Sequence, residues 1–187
     1  RIVNFSGCKL LTDASIRALA EGCPLLKSVS FRVCALLTDA AIVLLAGNFP
    51  LLASVVFSGC KLLTDASIGA LAWACPLLED VDFSGCELLT GASSGALAGT
   101  PPHRGCPLLK IIDLHNCKLL TDVSTVTLVR GCPLLETVDF SGCELLTDIS
   151  IGALTVCSLL ASVHINDCEL ITDASIAALN ALVYRKR

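Results

Sequence analysis

Phe57 to Cys75 read FSGCKLLTDASIGALAWAC, and the rest of the chain is this stretch rewritten with substitutions. Its opening, FSGCKLLTDASI, also occupies Phe5 to Ile16, and FSGCELLTD recurs at Phe140 to Asp148. The anchoring cysteine returns as Cys8, Cys34, Cys60, Cys86, Cys117, Cys143 and Cys168, at spacings of 26, 26, 26, 31, 26 and 25 residues. A fixed period of that size predicts a solenoid, in which each coil buries its apolar face only against its neighbours.

Within each coil the pattern changes period. An alternating triplet comes first: Val3-Asn4-Phe5, Val29-Ser30-Phe31, Val55-Val56-Phe57, Val81-Asp82-Phe83, Ile112-Asp113-Leu114, Val138-Asp139-Phe140 and Val163-His164-Ile165. Period two points the first and third residues inward and the middle one outward. Seven such strands, each separated by a helix, must pair in parallel. After the anchor comes Leu-Thr-Asp, whose Thr or Asp is expected to cap a short helix. Three residues past the Asp stand Ile16, Ile42, Ile68, Ile151 and Ile176, and six past it a leucine recurs in all seven copies. Those positions form one helical face, packed on the strands. Pro24, Pro50, Pro76, Pro107 and Pro133 then stop the helix.

Composition fits a stack of thin aliphatic layers: of 187 residues, 54% are hydrophobic, 16% charged and 4% aromatic. The repeat makes residues 1–187 one continuous solenoid, α/β in class, with strands on a concave face and helices on a convex one. A net charge of −4 and a pI near 5.3 weigh against nucleic acid, which demands a basic stripe. The Arg185-Lys186-Arg187 cluster reads as a solvated helix end. Ala40 to Cys60 lacks charge, yet Asn48, Pro50 and Gly59 divide it into pieces too short to span a membrane. The chain contains no Met and opens directly on a strand without a polar capping unit, so a fragment of a longer protein is expected.

The twelve cysteines fall into two columns, the seven anchors and Cys23, Cys75, Cys106, Cys132 and Cys157, with Phe49 standing for a missing sixth cysteine of the second. Phe replaces only a buried apolar group, so this column is packing. No CxxC occurs and no zinc spacing is present. Buried free thiols, and with them a reducing cytoplasmic or nuclear compartment, are the expectation.

Leu26-x-x-Val29-x-Phe31-x-x-Cys34-x-x-Leu37-Thr38-Asp39 resembles the cysteine-containing leucine-rich repeat, with units of about 26 residues. The resemblance covers essentially the whole chain and implies a horseshoe of about seven repeats. The best-known proteins of that family are F-box proteins, whose repeats hold a substrate while the F-box engages a ubiquitin-ligase scaffold. It therefore implies a non-catalytic, substrate-recruiting module, with any adaptor contact made through an F-box missing from this chain. The competing reading is a structural or decoy repeat without a specific partner.

One repeat departs from the pattern. Gly91 stands where the capping Asp belongs, Ser94 replaces the core Ile, and Gly91, Gly95 and Gly99 weaken the helix. Five extra residues, Thr100 to Arg104, then precede Gly105-Cys106, so an irregular repeat with an insertion is expected near 91–105. The lost cap and the buried hydroxyl should each cost about 1–2 kcal/mol.

On the concave face the mid-strand column reads Asn4, Ser30, Val56, Asp82, Asp113, Asp139, His164. The three aspartates should be successive rungs about 5 Å apart, where like charges repel by about 1–3 kcal/mol per pair. Asp80 lies close by, and Arg32 and His115 lie in the next outward column. We take Asp80, Asp82, Asp113, His115, Asp139, His164 and Arg32 as the candidate protein-binding residues, with a basic segment as ligand. Trp73, with His103 and Arg104 of the insertion, forms a candidate secondary contact. Lys61, Glu87, Lys118 and Glu144 alternate in sign along another column and suggest an exposed ladder. Ser141 beside His115 and Asp113 only superficially suggests a triad, since nothing supplies an oxyanion hole. No catalytic residue, cofactor or metal site is expected.

Overall fold

The computed structural model describes residues 1–101 and 104–185, the side chains of residues 182–185 excepted. Seven strands alternate with seven helices: β1 (Ile2–Asn4), α1 (Asp13–Gly22), β2 (Ser28–Ser30), α2 (Asp39–Asn48), β3 (Ser54–Val56), α3 (Asp65–Ala74), β4 (Asp80–Asp82), α4 (Gly91–Leu97), β5 (Ile111–Asp113), α5 (Asp122–Gly131), β6 (Thr137–Asp139), α6 (Asp148–Leu154), β7 (Ser162–His164) and α7 (Asp173–Arg185). One parallel sheet runs β1-β2-β3-β4-β5-β6-β7, so neighbours in sequence are neighbours in space. The strands begin one residue earlier than the apolar triplets suggest. Pairing nevertheless continues past them, since the Phe5 and Phe31 amides donate to the Ser30 and Val56 carbonyls at 2.8 and 2.7 Å.

The core is a set of columns. Val29, Val55, Val81, Ile112 and Val138 form the strand column, all buried. Beside it Phe5, Phe31, Phe57 and Phe83 stack with centroids 5.4, 5.5 and 5.5 Å apart, somewhat wider than the usual spacing of paired strands. The leucine of each helix, from Leu45 to Leu179, closes the layer from the other side.

The anchor cysteines fill the bend after each strand. Cys34, Cys60, Cys86, Cys117, Cys143 and Cys168 each donate Sγ–H to the carbonyl of the strand-end residue in the preceding coil, at 3.2–3.4 Å. Each of those carbonyls already accepts the amide of the anchor cysteine in its own coil at 3.0 Å, so the thiol adds a second bond that ties one coil to the next. Among the described residues no disulfide joins any of the twelve cysteines. Burial pushes the thiols of Cys60, Cys75, Cys106 and Cys132 up to about 12, and raises Cys34, Cys86, Cys117, Cys143 and Cys168 as well.

The Thr-Asp pair does more than cap its own helix. Thr38, Thr64, Thr90 and Thr147 accept the amide two residues on at 3.2 Å, as an N-cap should. The aspartates instead reach forward one coil. Asp13, Asp39, Asp65, Asp122 and Asp148 accept the amides of Thr38, Thr64, Thr90, Thr147 and Thr172 at 2.8–3.0 Å. Their second oxygens take the hydroxyls of the same threonines at 2.5–3.0 Å. Ser67 and Ser150 add hydroxyl bonds to Asp39 and Asp122. Burial works against ionisation of Asp39 and Asp122, yet these bonds outweigh it and hold both carboxyls below their ordinary range.

The irregular repeat is therefore damaged differently from expectation. Thr90 still caps α4, so that helix keeps its cap. What Gly91 forfeits is the forward bond to Thr121, whose amide turns to Ser124 Oγ at 3.0 Å instead. The buried hydroxyl expected at Ser94 is present and has a neighbour: among the described residues Ser94 Oγ and Thr125 Oγ1 are both buried without a hydrogen-bond partner. Both stand at the isoleucine position of their repeats. The chain leaves α4 through Gly99 and returns through Gly105, both at positive φ, where Cys106 N rejoins Leu97 O at 2.8 Å.

Candidate functional site

Strand register brings the acidic residues together as the repeat predicts. Asp82 pairs with Asp113, Asp113 with Asp139, and Asp139 with His164, so four outward side chains occupy consecutive rungs. Asp80 lies on β4 between Ser54 and Ile111, and its Oδ2 accepts Ser54 Oγ at 3.2 Å. Arg32 is exposed just past β2, two coils from Asp82, and is not brought to the acidic rungs.

Local geometry explains one half of each carboxylate. Asp82 Oδ1 accepts the Ser84 amide at 2.8 Å, Asp113 the His115 amide at 2.9 Å and Asp139 the Ser141 amide at 2.8 Å. Asn4 makes the same bond to Ser6 at 2.8 Å. The column thus closes the turn that follows each strand, a structural role that the sequence reading had not assigned to it. The turn engages Oδ1 only. Among the described residues the Oδ2 atoms of Asp82, Asp113 and Asp139 have no protein hydrogen-bond donor. The ion pairs among the described residues are Lys61–Glu87, Lys110–Glu79 and Lys118–Glu144, and none involves this column.

Burial raises the carboxyl of Asp113 above its usual range, and the charges of Asp82 and Asp139 add to that. Asp80 is raised too, first by burial and then by Asp82, against the bond from Ser54. Mutual repulsion is therefore real but second to desolvation, a reversal of the weight that spacing alone gives it.

The other candidates resolve individually. His115 Nε2 lies 2.9 Å from Asn116 Nδ2, and Ser141 Oγ accepts the Asn166 amide at 3.2 Å, so no Ser-His-Asp relay forms. His164 Nε2 sits 3.1 Å from Ser162 Oγ. Arg104 places its guanidinium 5.0 Å from the ring centroid of the half-exposed Trp73, a cation–π contact. His103 lies outside the described residues. The expected ladder of alternating charges is two separate ion pairs, Lys61–Glu87 at 2.9 Å and Lys118–Glu144 at 2.7 Å. Among the described residues no group of three or more His, Cys, Asp or Glu could hold a metal, and no helix is long and apolar enough to cross a membrane.

Sequence reasoning missed the forward bonds of the Thr-Asp pair. Their signal was present, since Asp13, Asp39, Asp65 and Asp122 each precede the next threonine by 25 residues.

No protein-family model and no curated protein sequence matches the chain. A crystal structure of the yeast Rad7 and Elc1 complex contains a chain that superposes with a TM-score of 0.72 at 20% identity, covering 91% of this chain and 51% of that one. The fold is a leucine-rich repeat solenoid, and this chain spans about half the length of that neighbour.

Proposed function

We propose that the chain is a non-catalytic protein-interaction module whose concave face holds a basic segment of a protein partner. The observation that carries this reading is the row of Asp82, Asp113 and Asp139 on adjacent rungs. Each spends one oxygen on its own turn, and none meets a cation among the described residues. Asp80, His115 and His164 border the row, and a lysine or arginine laid across it would relieve the repulsion and replace lost hydration. Trp73 and Arg104 of the convex side are a secondary contact at most, since they already engage each other.

The finer role rests on resemblance. The repeat is of the cysteine-containing type, and its anchor thiols, bonded to backbone carbonyls, suit a reducing cytoplasmic or nuclear compartment. Such repeats recruit substrates for F-box-like ubiquitin-ligase subunits, and the solved neighbour is itself in complex with Elc1. We assign the same class of work here, with the adaptor bound through an F-box and the substrate through the strand face. The test is mass spectrometry of proteins co-purifying with the chain and with the Asp82→Asn, Asp113→Asn, Asp139→Asn variant. Asn4 shows that asparagine closes this turn equally well, so the variant keeps the fold and loses only the charge. Proteins with basic segments should leave the captured set; an unchanged set contradicts the reading.

A further inference from the structure

The Leu-Leu pair after each anchor cysteine splits between inside and outside. Leu63, Leu89, Leu120 and Leu146 are fully buried, whereas Leu62, Leu88, Leu119 and Leu145 are 47–48% exposed. Leu10, Leu36 and Leu170 extend the outer column to all seven coils. Parallel bridges join Thr64 to Leu88 and Thr121 to Leu145, so this edge follows the coil order of the sheet and the outer leucine recurs once per coil along it. The second leucine supplies the core, while the outer one leaves nearly half of its surface in solvent. Monomers ordinarily keep exposed apolar patches small, so a half-exposed leucine repeated in every coil points to a surface that is covered.

The residue before each of the four mid-stack leucines carries charge of alternating sign: Lys61, Glu87, Lys118 and Glu144, all exposed and paired as Lys61–Glu87 and Lys118–Glu144. A two-fold axis between the Leu88 and Leu119 rungs sets Leu62 against Leu145 of a second copy, and Leu88 against Leu119. The same operation puts Lys61 opposite Glu144 and Glu87 opposite Lys118, twice each. Slipping by one rung either way sets like charges together. Of the antiparallel registers, this one alone gives all four charges an opposite partner. Exposed pairs contribute little energy each, so buried leucine drives the association while charge fixes the register. The opposite edge is less suited, because its outer leucines are less exposed in mid-stack, 37% at Leu51 and 36% at Leu108.

We propose that the chain pairs with a second copy of itself through the Leu62–Leu88–Leu119–Leu145 edge, in the antiparallel register that opposes Lys61 to Glu144. The contact uses no residue of the strand face, so it is independent of the basic-segment reading. Sedimentation velocity of the full chain should give the mass of two chains. Carbodiimide cross-linking of mixed isotopically labelled and unlabelled copies should join Lys61 of one copy to Glu144 of the other. Within one chain those residues are three rungs, about 15 Å, apart, beyond a zero-length cross-link. The Leu88→Ser, Leu119→Ser variant replaces only half-exposed side chains and should sediment as one folded chain, with a cooperative melting transition. A wild type that sediments as one chain at all concentrations overturns the proposal. So does a dimer lacking the Lys61–Glu144 link between copies, or one that persists in the serine variant; these wild-type readings stand even if that variant fails to fold.

Discussion

Val33 occupies the turn position held by Gly7, Gly59, Gly85 and Gly142, and like them it has positive φ, at 60°. For a β-branched residue this is a strained conformation, whereas glycine adopts it freely. Val33→Gly should therefore raise stability by about 1 kcal/mol, read as a higher denaturant midpoint with unchanged slope. The cysteines make a second test of single side chains. Cys8 is exposed, while the other six anchors are buried. Titration of the native protein with a thiol reagent near neutral pH should modify Cys8 rapidly and Cys34, Cys60, Cys86, Cys117, Cys143 and Cys168 only on unfolding. Equal reactivity of Cys8 and Cys86 would contradict the packing described. The packing of these columns was legible in the sequence because Phe49 replaces a cysteine within one of them. The turn bonds of Asp82, Asp113 and Asp139 were not, because a residue type that closes a turn and one that binds a cation look alike there.

Among the elements, α4 and α5 carry the weakness of the stack. Gly91 removes one forward carboxylate, and Ser94 and Thr125 bury two hydroxyls on adjacent coils that have no partner among the described residues. Restoring the rung with Gly91→Asp should stabilise the protein by about 1 kcal/mol, the usual worth of a capping side chain. A Cβ at Gly91 would stand 3.2 Å from Ser124 Oγ, so that hydroxyl must turn to donate to the new carboxylate, as Ser67 and Ser150 do to Asp39 and Asp122. The added stability should also depend on pH. A carboxyl held below its ordinary range stabilises the fold above the unfolded pKa, near about 4, and that contribution is lost as pH falls through the folded value. Thermal melts of the variant and wild type should thus converge in acid; a gain that persists there would mean that helix propensity, not the forward bond, is responsible. The location of this irregular repeat was plain from its glycines and its 31-residue spacing. Its consequence was not, because the bond that Gly91 forfeits runs to the next coil.

Across the solenoid, charge and burial meet on the strand face. Asp113, with its carboxyl raised first by burial and then by Asp82 and Asp139, favours the protonated fold, so its contribution is lost as pH rises from the unfolded pKa through the folded one. A cation bound across the row would reverse that shift. The most direct measurement is calorimetric titration of an oligolysine peptide into three proteins. These are the wild type, the Asp82→Asn, Asp113→Asn, Asp139→Asn variant, and a Glu87→Gln, Glu144→Gln, Glu169→Gln control of identical net charge. Binding should weaken with salt and be lost in the asparagine variant alone. Equal weakening in both variants would show that the peptide senses only net charge, and that the aspartate row is no binding site.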